Sequence, residues 1–205
     1  PRSSRIESKL MKLIIYAHGF NSSSSSYKAR LLAKLIQEQG SEVDFWCPNL
    51  PHWPQEAVEV LSSKIKTRPI NDVVLVGSSL GGFYATHLSE HLGCRSIIIN
   101  PAITPHIGLI NYVGPQKNLY THEQYEFTSQ HLEQFEAMYT PELKSPEKLF
   151  LMHTTGDELL DWRVAVHYYK KSKRLIVSGS DHGFSNFEDY VDIVLSHVMD
   201  FSVSA

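Results

Sequence analysis

The chain is poor in cysteine, with Cys47 and Cys94 alone among 205 residues. Two thiols without CxxC or Cys-His spacing exclude a disulfide scaffold and a zinc module, and are expected to be buried and free in a reducing compartment. That expectation places the protein in the cytoplasm. A basic excess is missing too: 19 Lys and Arg stand against 22 Asp and Glu, for a net charge of −3. No basic stripe or RNA-binding signature appears, so nucleic acid is not an expected partner. No apolar run approaches the roughly 18 residues of a membrane helix. Leu13 to Ala17 is too short for a signal-peptide core and ends at His18-Gly19. Internal repeats are absent, and Ser22 to Ser26 is a short polar loop rather than a linker.

What remains, 42% hydrophobic and 20% charged residues, suits one compact domain with a sizeable core. Residues 1–10, which open on Pro1, are expected to be an expression remnant or a disordered extension, leaving 11–205 as the domain. Short apolar runs suggest strands near 12–17, 43–47, 72–77, 96–100, 148–153 and 174–178. Between them lie helical spacings: Leu31, Leu32, Leu35 and Ile36; Ala57, Leu61 and Ile65; and Phe187, Tyr190, Val191, Val194, Leu195 and Val198. The alternation predicts an α/β fold, a mostly parallel sheet of about six strands with helices on both faces.

Gly77-Ser78-Ser79-Leu80-Gly81 follows directly on the buried-strand pattern Val73-Val74-Leu75-Val76. It reads as G-x-S-x-G at a sharp strand-to-helix turn, which presents a serine hydroxyl to a base with its Oγ unobstructed. Such a turn brings strand and helix too close for side chains at the flanking positions, hence Gly77 and Gly81. Its partners should follow in the order acid, then histidine. Asp157 comes off the strand Leu149 to His153 through Thr155-Gly156, where a carboxylate can orient an imidazole. Its rivals are Glu158 and Asp161, and Asp161 is better explained as the cap of a helix carrying Trp162, Ala165, Val166 and Tyr169. His182 lies in the Gly-rich loop after the strand Leu175-Ile176-Val177, ahead of a helix that Ser185 and Glu188 start with capping-box spacing. An oxyanion needs two backbone N–H donors. Leu80 should supply one, and the loop His18-Gly19-Phe20-Asn21 after the first strand the other, from Phe20 ahead of Asn21. His18 falls in the wrong chain order for a base and reads as a loop brace.

With these segments in hand, the chain resembles the YqiA-like family of small bacterial α/β-hydrolases. The matching stretches are His18-Gly19-Phe20-Asn21-Ser22-Ser23, Val76 to Gly82, Asn100-Pro101-Ala102, Thr155-Gly156-Asp157-Glu158 through Asp161, and His182 with Phe187-Glu188-Asp189-Tyr190. The resemblance implies a compact α/β-hydrolase fold and a carboxylic-ester hydrolase, with its Ser, Asp and His on Ser79, Asp157 and His182. A small-molecule acyl ester or thioester is then the expected partner, and no cofactor is expected.

One stretch departs from simple alternation. Residues 103–146, about 44 of them, exceed a plain crossover, and are expected to form a small helical insertion covering the pocket as a lid. Thr121 and Gln124 have capping-box spacing, and Tyr125, Leu132, Phe135 and Tyr139 would share one face of a 121–139 helix. His87 and His91 have the i, i+4 spacing of a zinc pair, but Leu88 stands where a metalloprotease motif needs Glu, so no metal is expected. Trp46, Trp53 and Trp162 read as core or pocket-wall aromatics. The glycines around Ser79 lack the Lys-Ser/Thr of a phosphate-binding loop. Two function classes stand: a serine esterase working through an acyl-enzyme, and a catalytically silent hydrolase-fold binding module. Oligomeric state is not legible in one sequence.

Overall fold

The computed structural model describes residues 11–40 and 42–199; the expectation for residues 1–10 lies outside them. The elements run in chain order as β1 (Lys12–Ala17), α1 (Tyr27–Glu38), β2 (Val43–Trp46), α2 (Pro54–Ile65), β3 (Val73–Ser78), α3 (Leu80–Leu92), β4 (Arg95–Ile99), α4 (Pro105–Gly108), β5 (Gly114–Lys117), β6 (Gln124–Phe127), α5 (Ser129–Met138), β7 (Leu149–Thr154), α6 (Trp162–Tyr168), β8 (Lys173–Val177) and α7 (Val191–Met199). Six strands form one sheet in the order β2-β1-β3-β4-β7-β8. Every pairing within it is parallel. The six predicted strands are these six, each within one residue at either end.

Parallel strands are buried on both faces, and the period of two divides each between two cores. Leu13, Ile15, Val73, Leu75, Ile98 and Leu151 join a core shared with Ala57 and Leu61 of α2, Leu88 of α3 and Phe135 of α5. Ile14, Tyr16, Val74, Val76, Ile97 and Met152 face the other way, onto Leu32 of α1 and Val194 of α7. A doubly wound sheet gathers its loops at the carboxyl ends of the strands, and the turns after β1, β3, β7 and β8 carry all the expected site residues.

The insertion departs from its expected form. No helix spans 121–139; β5 and β6 pair antiparallel there, Pro115 opposite Glu126 and Gln116 opposite Tyr125. The alternation of half-buried Tyr125 and buried Phe127 with exposed Gln124 and Glu126 suits a strand, and it overrides the helical spacing. Helix α5 begins later, with a capping box between Thr128 and His131. Phe135 packs edge-on to Phe83 and beside Tyr84 of α3, inside the core rather than toward an acyl pocket.

Two smaller expectations also change. Ser185 does not cap the last helix; its N–H and Oγ are held by the Asp181 carboxylate, and a single 3₁₀ turn (Phe187–Tyr190) precedes α7. Cys94 is buried but Cys47 only half-buried, because it sits just past the end of the edge strand β2; both are free.

Candidate active site

Ser79 stands at the join of β3 and α3 with φ 56 and ψ −119, a conformation that L residues adopt only under constraint. The constraint is close packing. A methyl group on Gly81 would lie 1.9 Å from the carbonyl oxygen of Ala17, and one on Gly77 would lie 2.2 Å from that of Gly81. The Ser79 N–H donates to Ile99 O at 3.0 Å, and Ser79 O accepts from Gly82 and Ala102 at 2.9 and 3.0 Å. The turn is therefore locked by its own backbone to the end of β4.

His182 reaches Ser79 from the loop after β8. Its Nε2 lies 3.1 Å from Ser79 Oγ, and its Nδ1 lies 2.9 Å from Asp157 Oδ2. A carboxylate can only accept, so Nδ1 carries the proton and Nε2 is left to accept from the serine hydroxyl. The three expected side chains thus converge in one hydrogen-bonded row, with the Asp157 side chain shielded from solvent. Burial pushes the Asp157 carboxyl up, but hydrogen bonds from His182 and from the Leu160 and Leu159 N–H groups outweigh it and hold the group below its usual value. Of its rivals, Asp161 caps α6 by accepting from the Arg163 N–H at 2.9 Å. Glu158 accepts the backbone N–H of His182, also at 2.9 Å.

The backbone of the His182 loop is gripped by side chains that sequence reasoning left without a role. Asn100, fully buried and at φ 41, donates from Nδ2 to His182 O at 3.0 Å and Asp181 O at 3.2 Å, while its Oδ1 accepts from the Thr154 N–H at 2.9 Å. Thr154 Oγ1 donates to Asp181 O at 2.9 Å, and Lys28 Nζ to Gly183 O at 2.6 Å. Burial lowers the Lys28 ammonium to about 8 against the pull of Asp181 and Asp157. Behind the acid lies His153, fully buried, whose Nδ1 donates to Thr154 O at 3.0 Å. Among the described residues its Nε2 has no hydrogen-bond partner, and it faces Asp157 Oδ2 at 4.0 Å; burial lowers its pKa, which favours the neutral ring.

Leu80 opens α3, so its N–H has no acceptor within the helix. Gly19 abuts Ser79, since a methyl group there would lie 3.2 Å from Ser79 Cβ. The turn at Phe20 and Asn21 is closed by the Ser22 N–H on Gly19 O. His18 braces it: Nε2 accepts from the Leu50 N–H at 2.9 Å, Nδ1 donates to Gly19 O at 3.0 Å, and burial lowers its pKa. The insertion fastens to the same turn. Phe20 packs edge-on to Tyr112 and Phe127, Tyr125 Oη donates to Asn21 Oδ1 at 2.6 Å, and the Leu119 N–H donates to Asn21 O.

Two clefts are present, the first beside the turn at Phe20 and Asn21; none of Ser79, Asp157 and His182 lines either. One, lined by Phe20, His52, Leu80, Glu123 and Tyr125 among others, mixes polar and apolar walls. The other is smaller and more apolar, between Phe83, Ala102, Ile103, Met138 and Tyr168. His87 and His91 turn their Nδ1 atoms to the carbonyls of Met138 and His87, and among the described residues no group of three ligand-type side chains could hold a metal. No helix among those residues is long and apolar enough to cross a membrane.

The fold is that of α/β-hydrolases. The structure is similar to Est1E from Butyrivibrio proteoclasticus, with a TM-score of 0.63 at 14% identity over 93% of this chain and 86% of that one. It is similar also to alpha/beta hydrolase domain-containing protein 10 from mouse, with a TM-score of 0.64 at 15% identity over 91% and 90%. In sequence, a UPF0227 protein from Shewanella woodyi is 25% identical over 103 residues, 49% of this chain and 57% of that protein's length, so the match spans little more than half of that relative. The model of the uncharacterised protein family UPF0227 matches residues 13–199, nearly the whole described domain, and the chain belongs to that family.

Proposed function

We propose that the protein is a serine esterase that hydrolyses carboxylic esters, or acyl thioesters, through an acyl-enzyme on Ser79. The observation that carries this reading is the His182 ring spanning Ser79 Oγ at 3.1 Å and Asp157 Oδ2 at 2.9 Å. A pure binding module would need none of these three residues in hydrogen-bonded register. In the forward step His182 Nε2 takes the Ser79 proton as Oγ attacks the ester carbonyl carbon, and Asp157 holds the imidazolium that results. The oxyanion is held by the Leu80 and Phe20 N–H groups, each worth about 3 kcal/mol of barrier. His182 then returns the proton to the leaving alcohol or thiol. Water, activated by the same nitrogen, cleaves the acyl-enzyme and regenerates the hydroxyl. The insertion acts as a partial lid, because its hairpin braces the oxyanion turn while Tyr125 and Met138 line the two clefts.

A panel of p-nitrophenyl esters and acyl thioesters, run with wild type and Ser79→Ala, tests the proposal. Turnover abolished in a folded Ser79→Ala variant is expected. Undiminished turnover in that variant would move the nucleophile elsewhere, and the absence of turnover by wild type on every ester would favour the binding module.

A further inference from the structure

The polar cleft beside the oxyanion turn carries an imidazole pair that the chemistry at Ser79 does not use. His131 is fully buried at the start of α5, where it takes the place a Glu or Gln has in most capping boxes. The Thr128 backbone N–H donates to its Nδ1 at 3.0 Å, so that nitrogen bears a lone pair and the ring proton sits on Nε2. His131 Nε2 lies 2.9 Å from His52 Nδ1, to which it must donate. His52 is then left with its own proton on Nε2. The reverse arrangement would set two N–H groups against each other and strip the cap from Thr128.

Stacking fixes the ring planes. Trp53 lies on His131 with centroids 3.7 Å apart and planes 10° apart, and Tyr125 lies on His52 at 4.3 Å and 18°. Burial first, and the neighbouring His52 second, push the His131 pKa down to about 4, which keeps the His131 ring neutral. His52 lines the cleft, and among the described residues its Nε2–H has no acceptor and is not sealed from solvent. The relay Thr128–His131–His52 therefore ends in an N–H donor of fixed tautomer, carried by a residue that lines the same cleft as Gly19, Phe20 and Leu80.

A plain alkyl group in that cleft would cover the donor without answering it, which costs affinity. A carboxylate would meet the charge of Glu123, an acidic residue that lines the same cleft. We propose that His52 is a specificity-determining residue, and that the arm of the ester occupying this cleft carries a hydrogen-bond-accepting oxygen, a hydroxyl or an ether. The inference rests on the esterase reading of Ser79.

Two isosteric pairs of esters test it. For the acyl arm, kcat/KM is compared between p-nitrophenyl 3-hydroxybutyrate and p-nitrophenyl 3-methylbutyrate. For the alcohol arm, 2-hydroxyethyl butyrate is compared with propyl butyrate. Wild type should favour the hydroxylated member of at least one pair by about fivefold, the scale of a single neutral hydrogen bond. His52→Phe should bring that ratio to about one, and His52→Gln, which keeps an N–H, should retain part of it. Each ratio is independent of the fraction of protein that is folded. Good turnover with ratios near one for both wild-type pairs, or a ratio untouched by His52→Phe, would overturn this inference alone. Failure of wild type to turn over any of the four esters would overturn it together with the esterase reading.

Discussion

The turn that carries Ser79 is shaped by what its residues lack, whereas the loop that carries His182 is held by side chains reaching in from elsewhere. At the turn, Gly77 and Gly81 leave no room for a methyl group, and the strained φ of 56 at Ser79 is set by backbone packing against Ala17, Ile99 and Ala102. At the loop, Asn100, Thr154, Glu158 and Lys28 hold successive backbone groups of Asp181, His182 and Gly183. The first arrangement resists substitution all at once. The second is distributed over four segments of the chain, so its members should fail separately and by degrees.

The largest effect that sharpens this contrast lies on the Ser79–His182–Asp157 row itself. Asp157→Asn keeps the shape of the site but favours the wrong imidazole tautomer, and kcat should fall by up to about 10⁴-fold. Asp161→Asn, which still caps α6, should leave kcat alone; a crippled Asp161→Asn with a mild Asp157→Asn would reverse the assignment.

Next in size comes the grip on the His182 loop. Asn100→Ala removes the two hydrogen bonds that Asn100 donates to that loop, and kcat should drop by about 100-fold, as expected when a reacting group shifts by an ångström or so. Asn100→Asp keeps the acceptor for the Thr154 N–H but turns a carboxylate oxygen toward two carbonyls, so it should not rescue. Wild-type activity in Asn100→Asp would show that the loop is held without the Asn100 donors. A general loss of folded protein would itself lower apparent kcat at unchanged KM, so each rate is normalised to the folded fraction read from a thermal melt.

A gentler lever is pH. His131 is held near 4 against an unfolded value of about 6.5, so between those values the unfolded chain binds the extra proton and stability rises with pH. Stability should therefore fall as the solution is taken from pH 6.5 toward 4, by up to about 1.4 kcal/mol per pH unit from this one group. Burial of His153 and His18 acts in the same direction. Asp157 contributes below that window: its lowered carboxyl stabilises the fold above the unfolded value of 3.8, and that share is lost as pH falls through the folded value. Denaturant melts at pH 7 and pH 5 measure the slope, which His131→Phe should flatten.

The smallest effect belongs to Glu158. It accepts the His182 N–H from an exposed position, so Glu158→Gln, which keeps an acceptor, should lower kcat by no more than about threefold. A loss as large as that of Asn100→Ala would mean that the grip is centred on the acid loop instead of β4.

The same contrast explains what could be read in advance. The strands and the Ser79 turn were legible because their causes are local: β-branched runs of fixed period, and glycines beside a serine. Asp157 and His182 were legible by chain order and strand ends. The roles of Asn100 and Glu158 were not, because each depends on a partner more than 20 residues away that only the sheet order brings near. In the insertion, Tyr125, Leu132 and Phe135 share a helical spacing by coincidence, while Gln124-Tyr125-Glu126-Phe127 alternates as a strand does; the shorter signal prevailed because Phe127 reaches the core beside Phe20. The His52–His131 pair, 79 residues apart, left no mark in the sequence beyond two isolated histidines.

The central claim is that Ser79 is the nucleophile, activated by His182. Incubation of the folded protein with a fluorophosphonate probe, followed by peptide mapping of the adduct, tests it most directly. The account predicts one adduct, on Ser79, formed rapidly by wild type and lost in His182→Ala. An adduct on Ser78 or elsewhere, or no adduct on a protein that melts cooperatively, would contradict it.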